Sequence, residues 1–221
     1  MGNTHSKHIQ SKSNESVLLC VNHVTEILPT IFLTSRHSAE DELTYKQNDI
    51  SAVLSLTTNN AKYPTDVQTK HCHVQDSFFF LLDQTLDESL EWIDTMVSSG
   101  KKVLVHCEVG MSRSASVVLA YLMKHNTWNF KTAFLYIKQK RPIVFPNPGF
   151  IIQLYQYQLK MGIKDSNENS LFVKELILQA NALFQDVPVR QLWNAFLSNG
   201  CCYEKAIKDQ RRLLANYAGS S

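Results

Sequence analysis

No stretch of this 221-residue chain is apolar for long enough to cross a bilayer as a helix. No secretory leader is visible at its start. Charge of either sign is nearly absent in net terms. The 22 Lys and Arg against 20 Asp and Glu leave a formal +2, too little to imply nucleic acid or a strongly anionic surface as partner. The five cysteines (Cys20, Cys72, Cys107, Cys201, Cys202) are odd in number and follow no disulfide framework. Together these absences point to a reducing, cytoplasmic setting. What is present is an ordinary globular mixture, 44% hydrophobic and 19% charged. The length suits one domain of moderate size plus an appendage.

The chemistry is concentrated in one stretch, Lys102-Val103-Leu104-Val105-His106-Cys107-Glu108-Val109-Gly110-Met111-Ser112-Arg113-Ser114, followed by Ala115-Ser116-Val117-Val118-Leu119-Ala120-Tyr121-Leu122-Met123. It reads as a short buried strand, a tight loop, then a helix apolar on nearly every side. A loop that curls between a strand end and a helix start turns its backbone N–H groups inward and forms a nest for an anion. The helix N-terminus adds further unpaired N–H groups and a partial positive charge. Gly110 admits a backbone angle that a side chain would obstruct. Arg113 can close the ring with a planar fork matched to two phosphate oxygens. The same positive field favours a thiolate at Cys107. A thiolate at the bottom of a phosphate-shaped cup is a nucleophile aimed at phosphorus. The bland alternative, a buried structural thiol beside a surface cation, does not account for the fixed register of cysteine, glycine, arginine and hydroxyl.

These residues, His-Cys-x-x-Gly-x-x-Arg-Ser, resemble the signature of the protein-tyrosine-phosphatase superfamily. The flanking Val103-Leu104-Val105 and Ala120-Tyr121-Leu122-Met123 resemble its dual-specificity, VH1-like (atypical) branch. So do Arg141-Pro142, Pro146-Asn147-Pro148-Gly149-Phe150 and Gln153-Leu154. The likeness covers about residues 24 to 162, and Thr34 stands where the family often has a glycine. It implies an α/β, protein-tyrosine-phosphatase-like fold. A central, mostly parallel twisted sheet would be flanked by helices, with a small C-terminal helical appendage. The division expected along the chain is an N-terminus at 1–15, a phosphatase domain at 16–163, a linker at 164–170 and helices at 171–221.

Strands are expected at 16–24, 31–35, 50–56 and 69–74, and helices at 39–47, 86–99, 129–140 and 147–161, with Asn147 as cap and Pro148 at the first helical position. His71-Cys72-His73 suggests a metal site only superficially, since strand alternation puts Cys72 on the face opposite the two histidines. Asp76 follows that strand. Thiolate attack on a phosphate ester needs a proton for the departing oxygen, and a carboxylic acid can supply it. The resemblance implies a general acid at this place. Asp83, Asp87 and Asp94 compete, but they fall on or near the first turns of the next helix.

The resemblance further implies two-step hydrolysis of a phosphate monoester. Cys107 would attack while Asp76 protonates the leaving oxygen, and Ser114 would hydrogen-bond the sulfur as it leaves. The substrate's phosphoryl group would be bound by loop residues His106, Glu108, Val109, Gly110, Met111, Ser112 and Arg113, with His106 orienting the loop rather than moving protons. No metal and no cofactor are implied. The loop carries no lysine, which favours a phosphoprotein substrate, signalling kinases among the candidates, with phosphotyrosine and phosphoserine or phosphothreonine both in range. The alternatives are a non-catalytic phosphoprotein-binding adaptor and a phosphatase of a non-protein ester; the presence of Cys107, Arg113 and Asp76 weighs against the adaptor.

The ends leave readings open. Gly2 with a hydroxyl at Ser6 fits the acceptor pattern for N-myristoylation, and a polar terminus with a chance glycine fits equally. One acyl chain gives only marginal membrane binding. The location is thus cytoplasmic, with peripheral membrane association and a nuclear share left open. At the other end, three short helical patterns weakly resemble a CUE- or UBA-type ubiquitin-binding module. The likeness lies in Phe184 with Asp186-Val187-Pro188, in Asn199-Gly200, and in Ala206-Ile207 with Leu213-Leu214. Helices that simply pack on the phosphatase domain are the other reading, and ubiquitin is a partner only under the first.

Overall fold

The computed structural model describes residues 21–183, 194, 196–206 and 208. Five short runs form one sheet: β1 (Thr25–Leu28), β2 (Ile31–Ser35), β3 (Ala52–Thr57), β4 (Gln68–His73) and β5 (Val103–Cys107). Their order across the sheet is β1-β2-β5-β3-β4. Only β1 and β2 are antiparallel, joined by a two-residue connection at Pro29 and Thr30; the remaining pairings are parallel. Every residue of β2, β3 and β5 is buried, which fits their near-continuous apolar and β-branched character. β4 lies at an edge, and of its six residues only Cys72 is buried. The α/β class with a mostly parallel sheet and flanking helices is therefore the one observed.

Among the described residues the helices with full bounds are α1 (Arg36–Ala39), α2 (Glu42–Asn48), α3 (Asp83–Ser98), α4 (Arg113–Asn126), α5 (Phe130–Lys140), α6 (Pro148–Lys160) and α7 (Asn167–Leu183). The chain forms two compact units interleaved along the sequence. The first holds the described residues of 21–74 together with Glu91–Ala115 and Tyr136–Phe145, and so contains the whole sheet. On one face of that sheet Phe32 pairs with Leu104, which also pairs with Val53. These three pack with Ala39 and Tyr45 from α1 and α2, and with Ile50 and Val67. Each such fully buried large side chain contributes about 1.5–3 kcal/mol relative to exposure. Tyr45 keeps its hydroxyl satisfied by donating to the Ala39 carbonyl at 2.6 Å.

The second unit holds Gln75–Leu90, Ser116–Leu135 and the described residues from 146 on. Its spine is α6, buried over most of its length. Asn147 caps it, accepting at Oδ1 from the Phe150 amide at 2.9 Å, with Pro148 at the first helical position as the sequence suggested.

Three local expectations need correction. Among the described residues the first strand is Thr25–Leu28; of the strand expected at 16–24, residues 21 and 22 are helical, and 16–20 lie outside the described residues. The helix expected at 39–47 is two helices. Asp41 adopts an extended conformation and accepts from the Leu43 amide at 3.0 Å, so it starts a new helix rather than continuing one. The stretch 164–170 is not a bare linker, because α7 begins at Asn167. Asn169 is fully buried. Its Nδ2 donates to Asp165 Oδ1 at 2.6 Å and Gln158 Oε1 at 3.1 Å, while its Oδ1 accepts from the Lys131 amide at 2.8 Å.

Candidate active site

The strand β5 ends at Cys107 and α4 begins at Arg113, so the loop between them leads straight into a helix N-terminus, a place that favours an anion. Its carbonyls are tied from outside. The Glu108 carbonyl accepts from the Arg36 amide at 3.1 Å, and the Met111 carbonyl from the Phe145 amide at 3.0 Å. Arg141 takes the two between them, donating from Nε to Gly110 O at 2.9 Å and from Nη2 to Val109 O at 3.0 Å. In a trans peptide the carbonyl and the next N–H point in opposite directions. Four bonded carbonyls therefore turn the N–H groups of residues 109–112 to the opposite side of the loop, an arrangement suited to an anion.

Gly110 is required twice over. Its φ is +73°, and a Cβ there would meet the Thr34 carbonyl oxygen and lie 2.7 Å from Arg141 Nη2. Its N–H donates to Cys107 Sγ at 3.2 Å, and Ser114 Oγ donates to the same sulfur at 3.1 Å. Two donors thus converge on one sulfur. Cys107, Ser112, Arg113 and Ser114 are all buried, while Glu108 and Val109 are exposed at the rim and Met111 is intermediate. Arg113 Nη1 donates to the Val74 carbonyl at 3.2 Å, which fixes the guanidinium. Glu108 is half-exposed and pairs with Arg36 at 3.5 Å.

His106 is fully buried, and burial lowers its pKa from the ordinary 6.5 to about 4. The ring is neutral at physiological pH, and its partners fix the tautomer. Nδ1 lies 3.1 Å from the Cys107 carbonyl, which can only accept, so Nδ1 carries the proton. Nε2 then accepts from the Tyr63 hydroxyl at 2.6 Å. Both nitrogens are therefore engaged, one with the Cys107 carbonyl and one with Tyr63.

Asp76 is exposed, three residues past the end of β4, and belongs to the second unit. Asn147, whose Oδ1 caps α6, donates from Nδ2 to Asp76 Oδ1 at 2.8 Å. The rest of that loop is bound to α6 through Gln153, which accepts from the Leu82 amide at 2.7 Å and donates to the Phe80 carbonyl at 3.0 Å. Among the competing carboxylates, Asp83 opens α3 and pairs with Lys160, and Asp87 and Asp94 lie further along the same helix. His71 sits on the edge strand with Nε2 3.0 Å from the Thr57 carbonyl, and Cys72 faces the core. Among the described residues no group of three His, Cys, Asp or Glu is arranged to hold a metal. No helix among them is long and apolar enough to cross a membrane.

Arg141, Tyr63 and Arg36 are the site's supporting residues that the sequence did not single out by role. Arg141 was visible only as part of a resembling dipeptide. Its remaining bonds go to the Val21 carbonyl at 2.9 Å, the His23 carbonyl at 2.8 Å and Thr25 Oγ1 at 3.1 Å. Nothing local announces an arginine whose partners lie 31 to 120 residues away. Gly2 lies outside the described residues, as do Phe184, Asp186-Val187-Pro188, Ile207 and Leu213-Leu214 of the ubiquitin-module likeness. Phe196, Tyr203 and Ala206, which are described, are buried.

The family model "Dual specificity phosphatase, catalytic domain" matches residues 31–160. Dual specificity protein phosphatase 5 of Homo sapiens is 39% identical over 134 residues, covering 60% of this chain and 35% of its own length. Dual specificity protein phosphatase 1B of Arabidopsis thaliana is 38% identical over 136 residues, covering 61% of this chain and 81% of its own length. The crystal structure of human DUSP28 superposes with a TM-score of 0.60 at 28% identity, covering 63% of this chain and 95% of that one. The match thus spans about a third of the length of the human phosphatase 5 relative.

Proposed function

The chain belongs to the dual specificity phosphatase catalytic-domain family, and from that premise we propose that it is a cysteine-dependent phosphoprotein phosphatase working through a phosphocysteine intermediate. The observation that carries this reading is the sulfur of Cys107, bonded by Gly110 N–H and Ser114 Oγ and followed by a loop whose four carbonyls are tethered away from its own N–H groups. Such donors stand ready for the charge that develops on the equatorial phosphoryl oxygens, usually the largest catalytic contribution. The N–H groups of the loop and the Arg113 guanidinium bind the phosphoryl group. Cys107 thiolate attacks phosphorus in line as the ester P–O bond breaks. Asp76 protonates the departing oxygen, then as carboxylate takes a proton from the water that attacks the phosphocysteine. Ser114 stabilises the sulfur as it leaves with its electron pair, and phosphate is released. The role of Asp76 rests on its position after β4, on the family likeness and on the Asn147 bond that orients its carboxylate.

The absence of lysine or arginine at Glu108, Val109, Met111 and Ser112 supports a phosphoprotein substrate over a more highly charged ester. Vanadate-sensitive hydrolysis of paired phosphotyrosine and phosphothreonine peptides, with no added metal, tests the activity and its side-chain range together. Cys107→Ser should lower turnover by roughly 10⁴-fold or more while leaving phosphopeptide binding within a few-fold of the parent. A variant with substantial residual turnover would remove the nucleophile assignment.

A further inference from the structure

The loop that carries Asp76 is held from two directions. At the start of α6, Asn147 and Gly149 meet it in the first turn and Gln153 in the next. From the C-terminal segment comes Tyr203, 1% exposed, whose hydroxyl donates to the Phe78 carbonyl two residues past Asp76. Gly149 is the third party to this contact. A Cβ there would lie 2.7 Å from Phe78 O and 2.8 Å from Phe78 Cα and would strike the Tyr203 hydroxyl, so only glycine lets helix, loop and tyrosine approach. The tyrosine is itself seated on α6, its amide donating to Gln156 Oε1 at 2.8 Å. Phe196 and Ala206 on either side are fully buried, and the Phe196 ring lies 6.4 Å from that of Tyr155. Burial pushes the Tyr203 hydroxyl far above its ordinary range, so it remains an O–H donor at every working pH.

We infer that Tyr203 is a positioning residue for the proton donor: residues 196–206, by bonding the Phe78 carbonyl, fix the loop that presents Asp76. This rests on Asp76 being the general acid, as proposed above. A carboxyl must come within about 3 Å of the oxygen it protonates, and a displacement of 1 Å is enough to cost an order of magnitude or two in rate. The C-terminal segment is then part of the catalytic apparatus rather than a detached module. Whatever unseats it slows only the steps that need the proton.

The test is a series of aryl phosphates of rising leaving-group basicity, read on the full chain, with Asp76→Asn as the reference. An activated ester departs without a proton and an unactivated one does not, so loss of the acid steepens the dependence of kcat/KM on leaving-group basicity. Tyr203→Phe should lower the rate about tenfold on the basic end of the series and leave the activated end unchanged. In an Asp76→Asn background it should add nothing, because the two residues act in one chain of contacts. Gly149→Ala, which displaces the same contact from the α6 side, should reproduce the pattern and serves if Tyr203→Phe does not fold. A uniform loss, or none, in Tyr203→Phe while Asp76→Asn still steepens the series overturns the positioning role alone. A flat series for Asp76→Asn overturns the acid assignment, and the inference with it.

Discussion

Cys107 and Ser114 are seven positions apart in sequence and 3.1 Å apart in space. The hydroxyl's bond matters most when the sulfur is a leaving group, which is the second half of the proposed reaction. Ser114→Ala should therefore slow phosphoenzyme breakdown by roughly 100-fold while leaving its formation nearly intact. Rapid-quench kinetics should show a stoichiometric burst of product followed by a slow steady state, where the parent shows no such separation. His106 makes a different prediction, about stability. Its pKa is depressed to about 4 in the folded protein against 6.5 unfolded, so between these values the unfolded chain binds the extra proton. Stability from this group is complete above pH 6.5 and is lost as the pH falls toward 4. The slope is about 1.4 kcal/mol per pH unit, or about 3 kcal/mol in all. Urea titrations across that window should show the parent losing stability more steeply than His106→Asn by about one proton's worth.

Among the elements, what could be read in advance is what is local in sequence. The β5–loop–α4 unit was legible because strand, cysteine, glycine, arginine and helix follow one another in register. Asn147-Pro148 announced the start of α6 for the same reason. The failures were also local in cause. The strand expected over 16–24 does not extend through its described part, 21–24, whereas β1 is defined by its pairing with β2 from Thr25↔Leu33 onward, a partner that periodicity does not reveal. The residues that hold the loop's carbonyls and the acid's loop stayed hidden because their bonds span dozens of residues. Arg141 is the extreme case. It joins the phosphate loop to Val21, His23 and Thr25, so the segment before β1 and the loop after β5 share one guanidinium. Arg141→Met removes charged donors from the buried Gly110 carbonyl and from the part-buried carbonyls of Val109, Val21 and His23, the last still bonded by Thr34 Oγ1; each bond lost costs about 1–3 kcal/mol. A loss of at least about 3 kcal/mol in urea unfolding is expected, accompanied by faster amide exchange over 109–112. Unchanged exchange there would show that Arg36 and Phe145 suffice to hold the loop.

On the scale of the whole molecule, the two units divide the proposed labour. The sheet-bearing unit carries the nucleophile and the anion nest, and the helical unit carries the carboxylate with its supports Asn147 and Tyr203. The leaving-group series above distinguishes loss of the proton donor from loss of the nucleophile. The sheet order adds a consequence for how such a molecule fails on warming. β5 is flanked on both sides, by β2 and β3, so its amides cannot fray outward as those of β1 or β4 can. The floor of the cup is rooted in the strand that melts last. Affinity for inorganic phosphate should survive to the cooperative transition and vanish with it, so that heat takes this pocket only by taking the whole sheet.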